Sequence, residues 1–326
     1  MQSKMKHFAP LRLLLSCVAL SATLCTPALA ATWPERPVRL IVPFPPGGGS
    51  DMSARIVAQK LGERLGQPVI VDNRPGAASN IAMDLVVRSP ADGYTLFFAV
   101  PTVTQNQFLY KLNFDPLKDL TPVAKVAEVS FVLLSNPAFP PKTLPEVLAR
   151  ARQNPGAVTC GSAGATPGIA CQLLQILGKV DLNIVPYKGN APAMTDLIGG
   201  QINLLFDVVN AAQPQVASGR ARAIATTAHK RGGAPFPNVP TASETLPGLE
   251  LSAWQGVMAP AKTPAPVLHK LEHELEAVME DPGVAQKLRD AGLEPSYADA
   301  KKFGATIAAD AARYGKIIRD TGMKAE

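Results

Sequence analysis

Three short stretches of this chain combine glycine with small polar residues in a way that suits an anion. They are Pro45-Pro46-Gly47-Gly48-Gly49-Ser50-Asp51, Gly161-Ser162-Ala163-Gly164-Ala165-Thr166 and Tyr187-Lys188-Gly189-Asn190-Ala191-Pro192. Each follows an apolar strand-like run and precedes a helical pattern. A helix that begins there offers free backbone N–H groups and the positive end of its dipole. Gly and Ala let a ligand approach the backbone, while Ser50, Ser162, Thr166 and Asn190 add uncharged donors. The first loop lacks the Gly-Lys-Ser/Thr ending of a phosphate loop and the spacing of a Gly-x-Gly-x-x-Gly fingerprint. Any single loop of this kind is more often a plain turn. Three of them, spread over two α/β units, point to a carboxylate.

Two other motifs touch on catalysis. His269-Lys270-Leu271-Glu272-His273 matches the H-x-x-E-H pattern of inverted zincins. On a helix, however, Val267, Leu268, Leu271, Leu275, Val278 and Met279 form the apolar face, which turns His269 and His273 to solvent. A catalytic zinc needs a third ligand and a sheltered open position, and beyond the leader the other histidine is His229. Cys160-Gly161-Ser162-Ala163-Gly164 misses a nucleophile elbow, having Cys where the first Gly belongs. The chain reads as a binding protein without metal or cofactor, not an enzyme.

The elements that would carry the loops alternate. Strands are expected at Val38–Val42, Val69–Val71 and Tyr94–Phe98, with a helix capped by Ser50 or Asp51 that runs to about Leu65 and another from Ile81 to Arg88. That order implies a parallel doubly wound sheet. The pattern restarts after a run from Val126 to Leu134. Helix Leu144–Asn154, strand Val158–Cys160, helix Ile169–Leu177, strand Asn183–Pro186, helix Ala191–Ile198 and strand Ile202–Phe206 follow. Then come a further helix, strand Ala223–Thr227, strand Trp254–Met258 and two closing helical stretches, Pro264–Glu280 and Asp299–Thr321. Two α/β lobes fit a protein whose ligand lies between them.

Composition sets outer bounds. The chain has 326 residues, 47% hydrophobic and 18% charged, which excludes a disordered chain. The 31 prolines and 25 glycines follow no collagen period and mark turns instead. Lys4, Lys6 and Arg12, the apolar run Leu13–Leu24 and Ala28-Leu29-Ala30 spell a secretory signal cleaved after Ala30. Its apolar run is too short to span a bilayer. Leu14-Leu15-Ser16-Cys17 loosely resembles a lipobox, but the apolar residues continue past it. Removing the leader takes three bases and no acid, which halves the net charge of +6. The remaining bases are scattered, so nucleic acid is not an expected partner. Cys17 and Cys25 leave with the leader, and Cys160 and Cys171 remain. An exported chain with one remaining pair favours a disulfide; the alternative is two buried thiols that never meet.

The residues Trp33-Pro34-Glu35-Arg36-Pro37-Val38-Arg39-Leu40-Ile41-Val42-Pro43-Phe44-Pro45-Pro46-Gly47-Gly48-Gly49-Ser50-Asp51 resemble the opening of the Bug family, substrate-binding receptors of tripartite tricarboxylate transporters. The resemblance continues through Asp72–Ala77, Ala91–Leu96, Pro186–Leu197, Gly200–Asn203, Asp207, Val239–Thr241 and Trp254–Gly256, in order over nearly the whole mature chain. It implies a periplasmic α/β protein of the two-lobed periplasmic-binding-protein type (Venus flytrap, type II). The leader would be residues 1–30, the first lobe 31–131 plus 254–326, and the second 132–253. It also implies a small carboxylate ligand, membrane components of a tripartite tricarboxylate transporter as partners, and a monomer. By matching position, Pro46, Gly47, Gly48, Gly49 and Ser50 would form one side of the cleft, with Thr102 and Thr104 as further candidates. Ser162, Ala163, Gly164, Thr166, Tyr187, Gly189, Asn190 and Ala191 would form the other, and Asp207 would orient a loop or read a ligand amine.

One segment departs from the family. Ala165-Thr166-Pro167-Gly168-Ile169-Ala170-Cys171 is about two residues short and lacks a histidine that is common there, so its ligand contacts should differ. Two other functions share much of this pattern: a sensor that presents its closed form to a signalling partner, and an exported zinc hydrolase using His269, Glu272 and His273.

Overall fold

The computed structural model describes residues 33–324, apart from 229, 233 and 234. The leader, its cleavage after Ala30, Cys17, Cys25 and His229 lie outside the described residues. Strands β1 (Val38–Val42), β2 (Val69–Asn73) and β3 (Thr95–Ala99) pair in parallel, in the order β2-β1-β3. Val38, Leu40, Ile41 and Val42 are all buried, as both faces of a parallel sheet covered by helices require. Helices α1 (Gly49–Leu65), α2 (Asn80–Val87) and α3 (Thr102–Leu109) follow these strands in turn, and the short α4 (Pro116–Asp119) leads into β4.

Strand β4 (Leu120–Ser135) organises the molecule. From Leu120 to Ser130 it pairs antiparallel with β9 (Ser252–Pro260), which in turn pairs antiparallel with β3. From Phe131 onward it pairs antiparallel with β7 (Leu204–Val208) and β8 (Arg222–Thr226). Parallel to β7 lies β5 (Thr159–Ser162), and parallel to β5 lies β6 (Asn183–Pro186). These directions fix where the strand ends point. β1 and β3 run the same way as β4, toward its change of partners at Ser130 and Phe131. β5, β6 and β7 run against β4, so they approach the same place from the other side. The carboxyl edges of both parallel groups therefore face one another.

Helices α5 (Leu144–Gln153), α6 (Ala165–Gly178), α7 (Asn190–Ile198) and α8 (Val209–Ala217) belong to the second group. After β9 come α9 (Ala265–Glu280), α10 (Pro282–Asp290), strand β10 (Glu294–Asp299, antiparallel to β4) and α11 (Ala300–Thr321). The last helix serves both cores. Phe303 and Ile307 pack with Ile41, Phe97 and Trp254, whereas Tyr314, Ile317 and Ile318 pack with Phe131, Leu133 and Leu174.

The alternating pattern is found in the expected order, with the short α4 as an addition and four larger differences. β4 is far longer than the apolar run Val126–Leu134, because the Leu120–Lys125 stretch before that run mixes buried residues with half-buried Thr121, Pro122 and Lys125. α6 starts at Ala165 rather than Ile169, with Pro167 in the first turn, where its missing N–H removes no helical bond. α3 carries no charged residue and little apolar periodicity, and the sequence pattern does not indicate it. The stretch after Glu280 holds α10 and β10, which the sequence pattern merges into a gap.

Cys160 and Cys171 are bonded, with Cα atoms 6.2 Å apart, and both are fully buried between β5 and α6. The bridge closes a loop with a sequence separation of 11. In the chain-entropy account, a loop of that size contributes about 3 kcal/mol. The double variant Cys160→Ala/Cys171→Ala should therefore unfold at lower urea, with a loss of about that size; equal denaturation midpoints would refute a stabilising bridge.

Candidate functional site

Six helices follow the parallel strands at the facing carboxyl edges, and among the described residues none of the six has a side chain capping its start. Their N-caps are Gly48 for α1, Ser79 for α2, Pro101 for α3, Gly164 for α6, Gly189 for α7 and Val208 for α8. Helices elsewhere behave differently. Asp115, Thr143, Asp281 and Asp299 cap α4, α5, α10 and α11, and α9, which starts after Pro264, is the exception. The first turn of a helix leaves backbone N–H groups without partners, so the facing edges present rows of donors and positive dipole ends toward one gap.

The first loop is held from below. Asp51, 3% exposed, accepts from the Gly47 N–H, from Arg55 Nε and from Asn73 Nδ2, each at 2.9 Å. Burial alone would raise its carboxyl, but the donors from Arg55, Gly47 and Asn73 together bring it down to about 2. Asn73 also reaches the Phe44 carbonyl at 3.0 Å, so the end of β2 ties down both flanks of the loop. Gln255 on β9 donates to Ser50 Oγ at 3.2 Å and accepts from Ser53. Asp51 is thus a brace. Neither it nor Ser50 is the N-cap expected from the sequence, because both side chains are spent elsewhere. Gly47, at φ 87°, is the left-handed residue of the loop, and Gly48 at φ −82° is not.

Across the gap, Gly164 and Gly189 have φ of 101° and 107°, which only glycine adopts readily, and each delivers the chain into a helix start. Ser162 is buried, with its Oγ against Gly168, and Ala163 is buried beside it. Thr166 Oγ1 accepts from Gln105 Nε2 at 3.1 Å, a direct link from α6 to α3 across the two strand groups. The Tyr187 hydroxyl donates to Asp196 at 2.7 Å, and burial together with that carboxylate pushes it up to about 12. Its N–H meets the Ser162 carbonyl, which splices the second and third loops together. Asn190 donates through Nδ2 to Asp207. Thr104 is fully buried with its hydroxyl on the Pro101 carbonyl at 2.7 Å, so it closes its own turn rather than facing the gap. Lys188 and Ala191 are exposed.

Asp207 is the penultimate residue of β7 and is 2% exposed. Burial pushes its carboxyl up to about 6, against the opposing pull of the Val208 N–H and Asn190. The folded chain thus holds that proton more tightly than the unfolded one. Its contribution to stability is full below about pH 4 and is lost as pH rises through 6. Asp207→Asn keeps an acceptor for both donors and carries no charge. It should be the more stable protein at pH 8, by on the order of 2–3 kcal/mol, with little difference at pH 4. Urea melts at the two pH values check this, and an unchanged gap between them would contradict it.

The remaining motif is settled by exposure. Leu271, Leu275 and Val278 are buried, His269 and His273 are exposed, and Glu272 accepts the Ala300 N–H at 2.8 Å. A cavity of about 770 Å³ lies beside Glu128, Ser130, Asn210, Ser252 and Arg289 and shares no residue with the glycine loops.

The sequence profile of the tripartite tricarboxylate transporter family receptors matches residues 53–323. The chain belongs to that family. It is 33% identical to the protein BugT of Bordetella pertussis over 93% of this chain and 95% of BugT. Rpa4515 of R. palustris, solved with adipate, is 34% identical, with a TM-score of 0.77 over 90% of this chain and 99% of its own. MatC of Rhodopseudomonas palustris, solved with malate, is 30% identical, with a TM-score of 0.72 over 88% and 100%. The fold is accordingly the two-lobed one of periplasmic binding proteins, and the family is one of solute-binding receptors, not enzymes. Two features of the site were beyond sequence reasoning. Asp51 looked like a cap, and Gln255 and Gln105 gave no local signal, since each acts through a partner far along the chain.

Proposed function

We propose that this chain is a periplasmic receptor that clasps a small carboxylate between its lobes and delivers it to the membrane components of a tripartite tricarboxylate transporter. The observation that carries the proposal is the set of uncapped helix starts at the facing carboxyl edges. Ionised acceptors on backbone N–H groups form the stronger class of hydrogen bond, and an uncapped first turn has several such donors free. The adipate and malate in the two related structures support a carboxylate as the solute.

In this reading the lobes are residues 31–131 plus 254–326 and residues 132–253, the leader is removed after Ala30, and the receptor acts as a monomer. Pro46 to Ser50 and the start of α3 at Thr102 bind from the first lobe. Ser162 to Thr166 and Gly189 to Ala191 bind from the second, with Tyr187 and Asp207 shaping those loops from behind. Mass spectrometry of the small molecules that co-purify, followed by calorimetric titration of the acid found and small-angle scattering, tests it. A carboxylate that saturates at one per chain and compacts the protein is the expected result. Binding with no compaction, or no binding by any mono-, di- or tricarboxylate, would overturn it.

A further inference from the structure

At the carboxyl edge of the first lobe three polar atoms face an unmet need. Asn106 on α3 is fully buried, and its Nδ2 donates to the Ala78 carbonyl and to Asn80 Oδ1, both at 2.7 Å. A carbonyl accepts only, so the amide orientation is fixed and Oδ1 is left as an acceptor, without a donor. Ser79, 2% exposed, has an Oγ with no partner, and so does Thr102, whose Oγ1 is buried. Thr102 and Asn106 are one helical turn apart on the same face of α3, and Ser79 sits between the two residues that Asn106 grips. Such orphans are uncommon in native structures and call for an explanation.

The backbone beside them is strained as well. Ala77, Ala78 and Ser79 have φ of 46°, 50° and 78°, three successive non-glycine residues in left-handed conformation. Strain of this kind persists where the surroundings impose it and tends to sit at switching or binding segments. The segment is also well placed. It follows the end of β2, whose Asn73 braces the glycine loop, and it leans on α3, whose Gln105 reaches Thr166 in the second lobe.

We infer that Ser79, Thr102 and Asn106 form a subsite for a proton-donating substituent on the ligand, a hydroxyl or an ammonium, which enters as residues 76–79 relax. The chemistry selects the substituent: Asn106 Oδ1 needs a donor, and the two hydroxyls accept or donate in turn, so a second carboxylate would leave Oδ1 unmet. The inference rests on the carboxylate-receptor reading and narrows it to hydroxy- or amino-substituted acids.

The test uses three probes of one chain length: succinate, malate in both enantiomers, and aspartate. Wild type should bind one malate enantiomer or aspartate about tenfold more tightly than succinate, and the better of the two tells hydroxyl from ammonium. Ser79→Ala and Thr102→Val should each bring that ratio close to one. Both variants should melt no lower than wild type, because each removes a buried hydroxyl that has no partner. A ratio near one in wild type, with succinate still bound, would overturn the subsite alone. A ratio that survives both substitutions would do the same. If wild type binds none of these and no other carboxylate, the receptor reading falls and the subsite falls with it.

Discussion

Replacing Gly48 by valine should leave the protein folded and weaken carboxylate binding at least a hundredfold. At φ −82° the backbone of Gly48 suits any residue, and a Cβ there would meet only the Pro45 carbonyl oxygen, at 3.9 Å. Nothing in the fold resists the change. The new side chain would, however, stand over the first turn of α1, where the free N–H groups lie. Losing one or two hydrogen bonds to an ionised group removes about 3 kcal/mol, roughly two decades of affinity. Gly47→Val makes a useful contrast: at φ 87° it strains the backbone, so it should lower the melting temperature too. Lys188→Ala, at the exposed base of the third loop, should cost less than about threefold if backbone donors do the holding. Calorimetric titration beside thermal melts separates the three. Normal binding by Gly48→Val would remove the first loop from the site.

Asp51→Ala should cost about 3 kcal/mol of stability and abolish binding, although the side chain touches no ligand. Its loss leaves the Gly47 N–H, Asn73 Nδ2 and the Arg55 guanidinium without their common acceptor, and unmet partners of a buried charged group are expensive. Asn at this position should rescue only part of the loss, because its amide oxygen can accept from Gly47 and Arg55 while its NH2 faces the Asn73 donor and the charge that pairs with Arg55 is gone. The pH dependence has a definite sign. With the folded carboxyl down at about 2, the stabilisation is present above about pH 4 and is lost as pH falls toward 2. Wild type should therefore lose more stability than Asp51→Ala between those two values, as urea melts would register. A variant that loses stability in parallel with wild type would show that Asp51 braces nothing.

The strand–helix alternation was legible where strands are buried on both faces, as at Val38, Leu40, Ile41 and Val42 and along Thr95–Ala99, since a continuous apolar run with turn signals at its ends is the mark of such strands. The three glycine loops were legible as loops for the same reason. Local sequence did not indicate which glycine turns left-handed: Gly47, Gly48 and Gly49 are equivalent until the brace from Asp51 fixes the path. β4 hid its first residues, Leu120–Lys125, because half-buried Thr121, Pro122 and Lys125 interrupt the apolar pattern there and the strand is held by its pairing with β9. β10 and α3 were missed because Pro295, Ser296 and the Thr102–Leu109 segment have weak intrinsic preference and are held by tertiary contacts. The orphaned Thr102 and Asn106 could not be read at all, since a side chain without a partner leaves no trace in a sequence.

The central claim is that backbone amides at the uncapped helix starts of both lobes hold the ligand's carboxylate. Amide nitrogen and proton shifts, followed while the co-purified acid is titrated in, test it residue by residue. Gly48 to Ser50 in the first lobe and Gly164 to Thr166 and Asn190 to Ala191 in the second should move most and saturate together. Large shifts confined to one lobe, or centred instead on the groove beside Asn210 and Arg289, would contradict it.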